Sequence, residues 1–249
     1  MQDKVYCYPD SNVLINKLNI RDDKELFEAE KALTFIRLQE LQNVPIDGDF
    51  DFKHLLKIHE YIFQDVYEWA GKVRTVEIGK GNLFCTTKYL ADYAKAVFSR
   101  FYKECYANKD SKEAFIKVLA ENYGDLNALH PFKEGNGRTQ REFARLVCLK
   151  CGYILDLSAT THKEMLSASI ESFDTGNSEG LHSIFSKTVF KEDEYAGDAE
   201  GFLRILSSDD MAIENAEDYY NYYSCDDDQA KIQKYDAYYE EKVAKSRTD

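Results

Sequence analysis

The segment formed by residues 130–141, with the sequence His-Pro-Phe-Lys-Glu-Gly-Asn-Gly-Arg-Thr-Gln-Arg, contains the residue types best suited to carry out chemistry. His130 has a side chain that titrates near neutral pH, as a general base requires. Glu134 offers hard oxygen ligands suited to Mg²⁺, which commonly enters protein sites together with phosphates. Arg138 and Arg141 are three residues apart and share one helix face, where two guanidinium groups favour a polyphosphate over a carboxylate.

The backbone of this segment predicts a site for an anion. Pro131 disfavours a helical conformation at the residue before it, so we expect a loop there. The glycines on either side of Asn136 permit tight turns and close backbone approach, and a helix is predicted to begin at about Arg138. Free N–H groups at the beginning of a helix bind anions, so Gly135, Asn136 and Gly137 form a candidate anion hole. Each feature alone also suits an ordinary turn or surface, but base, carboxylate, anion hole and arginine pair together indicate phosphate transfer.

Hydrophobic periodicity predicts that helices hold this segment in place. Apolar residues recur with helical spacing through most of the chain, and we interpret each stripe as a buried packing face. The sequence therefore predicts an all-α fold, a helical bundle. The predicted helices cover residues 24–42, 51–66, 88–106, 111–129, 139–151, 163–173 and 180–190.

Residues 74–86 break the helical pattern. They combine β-branched residues with a Gly-Lys-Gly-Asn turn, which predicts a short β-hairpin, here called the flap. A two-stranded hairpin buries little surface by itself. We therefore expect the flap to present an edge to another molecule.

The charge of the chain is concentrated at its C-terminal end. The 249 residues carry a formal net charge of −13, which argues against general nucleic-acid binding. Residues 191–249 contain 17 acidic and 7 basic residues, a net charge of −10, so the first 190 residues are close to neutral. No apolar run reaches the roughly 20 residues of a membrane span, and no secretory signal is evident, so we expect a cytoplasmic protein without a membrane partner.

Two further features have ordinary explanations. The six cysteines are interpreted as reduced thiols, because the Cys148-x-x-Cys151 pair lies in a predicted helix and lacks a second pair that would indicate zinc. The Tyr-rich segment after residue 219 is expected to be a solvated appendage, with a helix that packs tyrosines against the body as the alternative.

Residues 130–141 match the HPFx[D/E]GNGRxxR signature of Fic-domain proteins at every fixed position, so the chain resembles that family. Residues 65–75 resemble the segment that leads into the Fic flap, and residues 6–17 resemble the beginning of many bacterial Fic domains. The resemblance implies a Fic fold with a β-hairpin flap that transfers AMP from ATP to a protein hydroxyl. It also implies a catalytic domain at residues 1–190, followed by an acidic extension at residues 191–249.

The resemblance assigns roles to individual residues. His130 would deprotonate a Ser, Thr or Tyr of the target, and Glu134 would hold Mg²⁺ between the α- and β-phosphates of ATP. Arg138 and Arg141 would hold the β- and γ-phosphates. The nucleotide-binding set is Phe132, Lys133, Glu134, Gly135, Asn136, Gly137, Arg138 and Arg141, with Leu166, Ser167 and Asp174 as candidate adenosine contacts. The target main chain would dock by strand addition on flap residues Glu77, Ile78, Gly79, Lys80, Gly81 and Asn82.

The C-terminal extension contains a candidate regulatory motif. Asp210-Met-Ala-Ile-Glu214-Asn215 resembles the [S/T]xxxE[G/N] helix of autoinhibited Fic proteins, in which the Glu pairs with the second arginine of the signature, here Arg141. Asp210 departs from the Ser or Thr of that pattern. If Glu214 belongs to an ordinary acidic helix instead, inhibition comes from an antitoxin-like partner or is missing.

Other interpretations keep the fold and change the function. A Fic-type phosphotransferase or phosphocholine transferase would move a different group, and a non-catalytic Fic-fold module would only bind partners. The partners expected for the favoured interpretation are ATP and a protein substrate, with a homo-oligomer or delivery into a target cell as an effector left open. The tyrosines available for self-modification are Tyr219, Tyr220, Tyr222 and Tyr223.

Overall fold

Eight helices make up most of the part of the chain that the structure, a computed structural model, describes: residues 5–80, 82–195, 223–224 and 229–246. Short connections join most of them, as expected for helices that pack next to one another. The helices are α1 (Asp23–Asn43), α2 (Phe52–Phe63), α3 (Leu90–Ala107), α4 (Lys112–Leu129), α5 (Asn136–Lys150), α6 (His162–Thr175), α7 (Glu179–Thr188) and α8 (Gln229–Lys245).

Five short strands form two small antiparallel sheets in the described residues. The flap is confirmed as a hairpin, in which Gly79 of β1 pairs with Leu83 of β2. A third strand, β5, lies on the other side of β1, so the order is β2-β1-β5. In the second sheet β3 pairs with β4. The strands are β1 (Ile78–Lys80), β2 (Asn82–Leu83), β3 (Tyr153–Leu155), β4 (Val189–Lys191) and β5 (Tyr223–Ser224).

The predicted helical bundle is confirmed, with corrections at several helix ends, among them that of α2, where the helix predicted over residues 51–66 ends at Phe63. Helix α5 begins at Asn136, earlier than the predicted start near Arg138, because Gly135 adopts a left-handed conformation that directly precedes its first turn. The helix predicted over residues 180–190 ends at Thr188, because the next three residues form β4 and pair with β3. Strand β3 was not predicted, since three residues are too few to establish an alternating pattern.

Helix beginnings are fixed by side chains that accept backbone N–H groups. The Asp22 carboxylate accepts the N–H groups of Lys24 and Glu25 at the start of α1, and Ser111 caps α4. Thr161 and Glu164 form a reciprocal capping box at the start of α6. These caps satisfy donors that a helix end leaves without intrahelical partners.

Helix α4 is the central element of the body. It packs against α3, α5, α6 and α7, while α5 packs against α2 and β3. The core between them contains side chains with no exposed surface, among them Phe101, Phe115, Leu119, Phe143 and Phe185. Because the end of α4 and the beginning of α5 are both fixed by this core, the loop that joins them is held at both ends.

Helix α8 packs against α3 and β2, which corrects the expectation of a solvated appendage for residues 229–246. Tyr239 has no exposed surface and Val243 is also buried. The alternative, a helix that packs a tyrosine against the body, is the arrangement in the structure.

Five cysteines, Cys7, Cys85, Cys105, Cys148 and Cys151, are buried free thiols, and Cys225 lies outside the described residues. Burial raises the pKa of Cys151 to about 11 and that of Cys148 further above its ordinary value. At neutral pH both thiols are therefore protonated. In the described part of the chain no helix is long and apolar enough to cross a membrane.

Candidate active site

The loop between α4 and α5 reverses the chain with two left-handed residues. His130 ends α4 with φ 42°, and Gly135 precedes α5 with φ 79°. A side chain at position 135 would overlap the ring of Phe63 in α2, so glycine is required there by packing as well as by conformation. The result is a tight loop whose residues 130–136 are all buried.

A hydrogen bond and a ring contact help to fix the ring of His130. Its Nδ1 lies 2.9 Å from the carbonyl oxygen of Asn127. Because a carbonyl oxygen only accepts, Nδ1 carries the proton and the neutral ring keeps its lone pair on Nε2. Phe84 of the flap region stacks on the ring, with centroids 3.7 Å apart and planes 10° apart. The tautomer and orientation are those of a general base that acts through Nε2.

Arg74 connects this histidine to the flap. The buried guanidinium donates to the His130 carbonyl oxygen at 2.9 Å, to the Val76 carbonyl oxygen at 2.8 Å and to the Cys85 carbonyl oxygen. It also lies 3.5 Å from the Glu77 carboxylate. One side chain therefore holds both arms of the flap and the backbone of His130. Arg74 was not predicted as a site residue, because its contact with His130 spans 56 positions of the sequence.

Asn136 closes the loop on itself. Its side-chain oxygen accepts the Phe132 N–H at 2.9 Å and its amide donates to the Phe132 carbonyl oxygen at 2.8 Å. The side chain thus maintains the loop shape, and what remains for an anion is the backbone N–H groups at the start of α5. Among the other predicted members, Lys133 is buried with its Nζ 6.0 Å from the ring centre of Tyr6.

His59 of α2 contacts the loop through a hydrogen bond and a ring stack. It was not predicted as a site residue. Its Nδ1 accepts the Gly71 N–H at 2.8 Å, so Nε2 carries the proton and donates to the Glu134 carbonyl oxygen at 3.0 Å. Its ring stacks on Phe132 with centroids 3.8 Å apart. Burial, reinforced by the charge of Arg138, lowers the pKa of His59 to about 3. The ring is neutral at physiological pH.

Arg138 points into the core, where only 1 % of its surface is exposed. Its terminal nitrogens donate to the Glu30 carboxylate at 2.5 Å and to the Thr34 hydroxyl at 3.0 Å, both in α1. The guanidinium also lies 4.6 Å from the centre of the Phe63 ring. Arg141, one helical turn later, is buried as well. A phosphate contact of either arginine stays a prediction, and the geometry gives Arg138 a second task, which is to join α1 to α5.

Glu134 remains the candidate metal ligand. Its Oε1 accepts the Gly135 N–H at 2.7 Å and lies 3.7 Å from Arg138. In the described residues no group of three or more His, Cys, Asp or Glu side chains could hold a metal ion by itself. A single hard carboxylate beside backbone N–H donors fits a Mg²⁺ that takes its other ligands from phosphates and water.

The candidate adenosine contacts lie on α6. Leu166 is 40 % exposed and Ser167 is exposed two turns before Asp174, near the helix end. Asp174 accepts a hydrogen bond from the Asn82 side chain at 2.6 Å, so it contacts the flap. Phe173 packs against Phe84 at 5.0 Å between centroids. The structure therefore brings Asp174 and the flap together beside the ring that stacks on the histidine.

Two of the predicted flap residues have side chains that hold the flap against the body. The Glu77 carboxylate accepts the Thr87 N–H and hydroxyl, and Ile78 is fully buried, so both side chains hold the flap in place. A role of the β1 backbone in docking a target stays a prediction. Gly81 and the candidate inhibitory Glu214 lie outside the described residues.

The helical bundle places a histidine, a carboxylate and a helix N-terminus in one loop beside a hairpin, an arrangement suited to a phosphate-transferring enzyme. Comparison with known proteins identifies the family. Residues 49–148 match the model of the Fic/DOC family. The chain is 43 % identical over 169 residues to a probable protein adenylyltransferase, y4lH, of Sinorhizobium fredii, covering 67 % of this chain and 86 % of that protein. It is 38 % identical over 185 residues to the protein adenylyltransferase VbhT of Bartonella schoenbuchensis, covering 74 % of this chain and 38 % of that protein.

The fold has a solved counterpart. The N-terminal Fic domain of a Bartonella quintana effector, solved with bound ADP, superposes with a TM-score of 0.70 at 28 % identity over 75 % of this chain and 95 % of that one. The chain belongs to the Fic/DOC family, and its named relatives make it an enzyme of the protein adenylyltransferase class.

Proposed function

We propose that this chain transfers AMP from ATP to a Ser, Thr or Tyr hydroxyl of a protein, with His130 as the general base. The hydroxyl oxygen attacks the α-phosphorus, the bond from that phosphorus to the bridging oxygen breaks, and pyrophosphate leaves. The hydroxyl proton passes to His130 Nε2. The observation that carries the proposal is the hydrogen bond from Nδ1 to the Asn127 carbonyl oxygen, which leaves Nε2 as the basic nitrogen.

The rest of the loop supplies charge stabilisation. Backbone N–H groups at the start of α5 would hydrogen-bond to the phosphates, and Arg141 lies in the first two turns of that helix, where its charge would stabilise them. Glu134 would hold Mg²⁺, which when bound neutralises phosphate charge. The similarity to a Fic domain solved with bound ADP supports nucleotide binding by this chain.

The base assignment predicts the effect of His130→Ala. Loss of a general base lowers the rate of transfer by about 10²–10⁴-fold. The measurement is incorporation of label from ATP carrying ³²P at the α-phosphate, with the chain itself as acceptor, and circular dichroism verifies the fold. His182→Ala, a partly exposed histidine far along the sequence, is the matched control. Label from γ-³²P ATP would indicate a phosphotransferase, and undiminished transfer by folded His130→Ala would refute the base.

Regulation by Glu214 is part of the proposal. The pattern Glu214-Asn215 supports an inhibitory carboxylate that pairs with Arg141 and withdraws it from the γ-phosphate. Glu214→Gly is therefore expected to raise self-labelling with α-³²P ATP at least several-fold, and adding His130→Ala to that variant to abolish it. Glu217→Gly, three residues later, is the control. Equal labelling of Glu214→Gly and wild type would contradict the proposal.

A further inference from the structure

The side of β1 that faces away from β2 is paired with β5, a strand of the same chain. In the sheet order β2-β1-β5, strand β1 is central and pairs on both sides. The backbone of Ile78 pairs with that of Ser224, and Gly79 pairs with Tyr223, in antiparallel register. A strand added from outside would use the same backbone groups of β1, because each residue has one N–H and one C=O.

The other edge of the flap faces α8. This helix packs against β2, and a cavity of about 190 Å³ between them is lined by Asn82, Phe173, Asp174, Lys234, Tyr235 and Tyr238. Asn82 is also held by Asp174. In the described part of the chain, the side of β1 away from β2 is therefore the position where a polypeptide can add, and β5 occupies it.

Helix α8 keeps β5 close to that edge. The Thr86 hydroxyl donates to Asp236 at 2.5 Å, and the Tyr239 hydroxyl donates to the Ala128 carbonyl oxygen at 3.3 Å. Lys242 lies 3.2 Å from Asp125. Only four residues separate Ser224 from the start of α8 at Gln229. A short tether on a docked helix gives the strand a high effective concentration at the flap.

We propose that Tyr223–Ser224 is an internal occupant of the target-docking edge, so that a protein substrate must displace this strand before it can dock. The proposal rests on the proposed function, since that function makes β1 a docking edge. The ladder contains two residue pairs, so a target segment that pairs along all of β1 exchanges with it readily. The occupant thus selects for protein segments able to form a longer antiparallel ladder.

Proline at position 223 tests the pairing. The Ile78 carbonyl oxygen accepts the Phe84 N–H on the β2 side, so in the alternating pattern of an antiparallel ladder the backbone of Gly79 faces β5 and hydrogen-bonds to its partner Tyr223. Tyr223→Pro removes the N–H of that pair, whereas Tyr223→Ala keeps it. Hydrogen exchange of the Gly79 amide is expected to accelerate at least tenfold in Tyr223→Pro and to stay near the wild-type rate in Tyr223→Ala. Equal exchange in all three proteins would overturn the proposal.

A second measurement tests displacement in trans. The probe is a fluorescent synthetic peptide with the sequence of residues 218–224, Asp-Tyr-Tyr-Asn-Tyr-Tyr-Ser. We expect it to bind Tyr223→Pro at least tenfold more tightly than wild type or Tyr223→Ala, as measured by anisotropy. Equal binding to the three proteins, or binding to none, would contradict the proposal. Both measurements omit ATP, so absence of AMP transfer would refute the proposed function while leaving these results unaffected.

Discussion

His59 and Arg74 each bind one backbone carbonyl oxygen of the loop that contains His130. His59 donates to the carbonyl oxygen of Glu134, and Arg74 donates to that of His130. Both side chains are buried, so their hydrogen bonds are shielded from water. At the scale of single residues, the site depends on these supports as much as on the groups of the signature.

The buried neutral state of His59 predicts a pH-dependent stability. Its pKa is about 3 in the folded chain, against an ordinary value of 6.5. Between these values the unfolded chain binds more protons, so stability falls as the pH drops below 6.5. His59 should lower the free energy of unfolding by about 2 kcal/mol between pH 7 and pH 5.

Urea denaturation at the two pH values measures this effect. The variant His59→Gln cannot titrate, so its stability should decrease by about 2 kcal/mol less over the same interval. His182→Gln is the control, because it changes a histidine that is partly exposed. The same pH dependence in wild type and His59→Gln would show that the fold does not hold His59 in its neutral form.

At the scale of elements, α5 must begin at one defined residue for its first N–H groups to meet an anion. Gly135 sets that start with φ 79°, and Phe63 of α2 packs against the position where a side chain would be. Arg138 then fastens the first turn to Glu30 and Thr34 of α1. Two helices distant in sequence thus determine where the anion hole lies.

Gly135→Ala and Gly152→Ala separate backbone strain from packing. Both glycines are left-handed, with φ 79° and 81°, but only at position 135 would a Cβ meet another group. Each substitution should cost about 1–2 kcal/mol of backbone strain. Gly135→Ala should cost about 1–3 kcal/mol more, because the Phe63 ring must shift. Urea denaturation of both variants measures the difference. Equal decreases in the free energy of unfolding would show that the Phe63 ring moves aside without destabilising the fold.

At the scale of the whole molecule, the acidic C-terminal region contributes a helix that packs on the catalytic body. Lys242 pairs with Asp125, Asp236 accepts from Thr86, and Tyr239 is fully buried between α8 and α3. The ring of Tyr239 lies 5.1 Å from that of Tyr93. The segment with most of the negative charge therefore includes the element that covers one side of the flap.

Tyr239 provides a test of this docking. Tyr239→Phe loses one hydrogen bond and should destabilise α8 by about 1 kcal/mol. Tyr239→Ala removes a buried ring, which costs about 3–5 kcal/mol, and should accelerate hydrogen exchange throughout residues 229–245. The control is Glu240→Ala, an exposed neighbour. Unchanged exchange in Tyr239→Ala would mean that α8 is held by other contacts.

Local information in the sequence determined the helices and the reactive loop. Residues 130–141 contain the titratable and charged side chains, the turn residues and the start of the following helix. They could therefore be predicted as a candidate site from the residue types and their order. Caps such as Asp22 and Ser111 act on residues two or three positions away, which is why helix boundaries were predicted closely. The flap was evident from its own turn and β-branched residues.

The tertiary structure alone decided which side chains support the loop. Glu30 meets Arg138 across 108 positions, His59 meets Glu134 across 75, and Arg74 meets His130 across 56. Pairings over such separations depend on how helices pack, and a single sequence contains no periodic signal for them. The pairing of β5 with β1 could not be predicted from the sequence either, because two residues are too few to show the alternating pattern of a strand. The sequence determined the reactive groups, and packing determined how they are held and what covers the edge beside them.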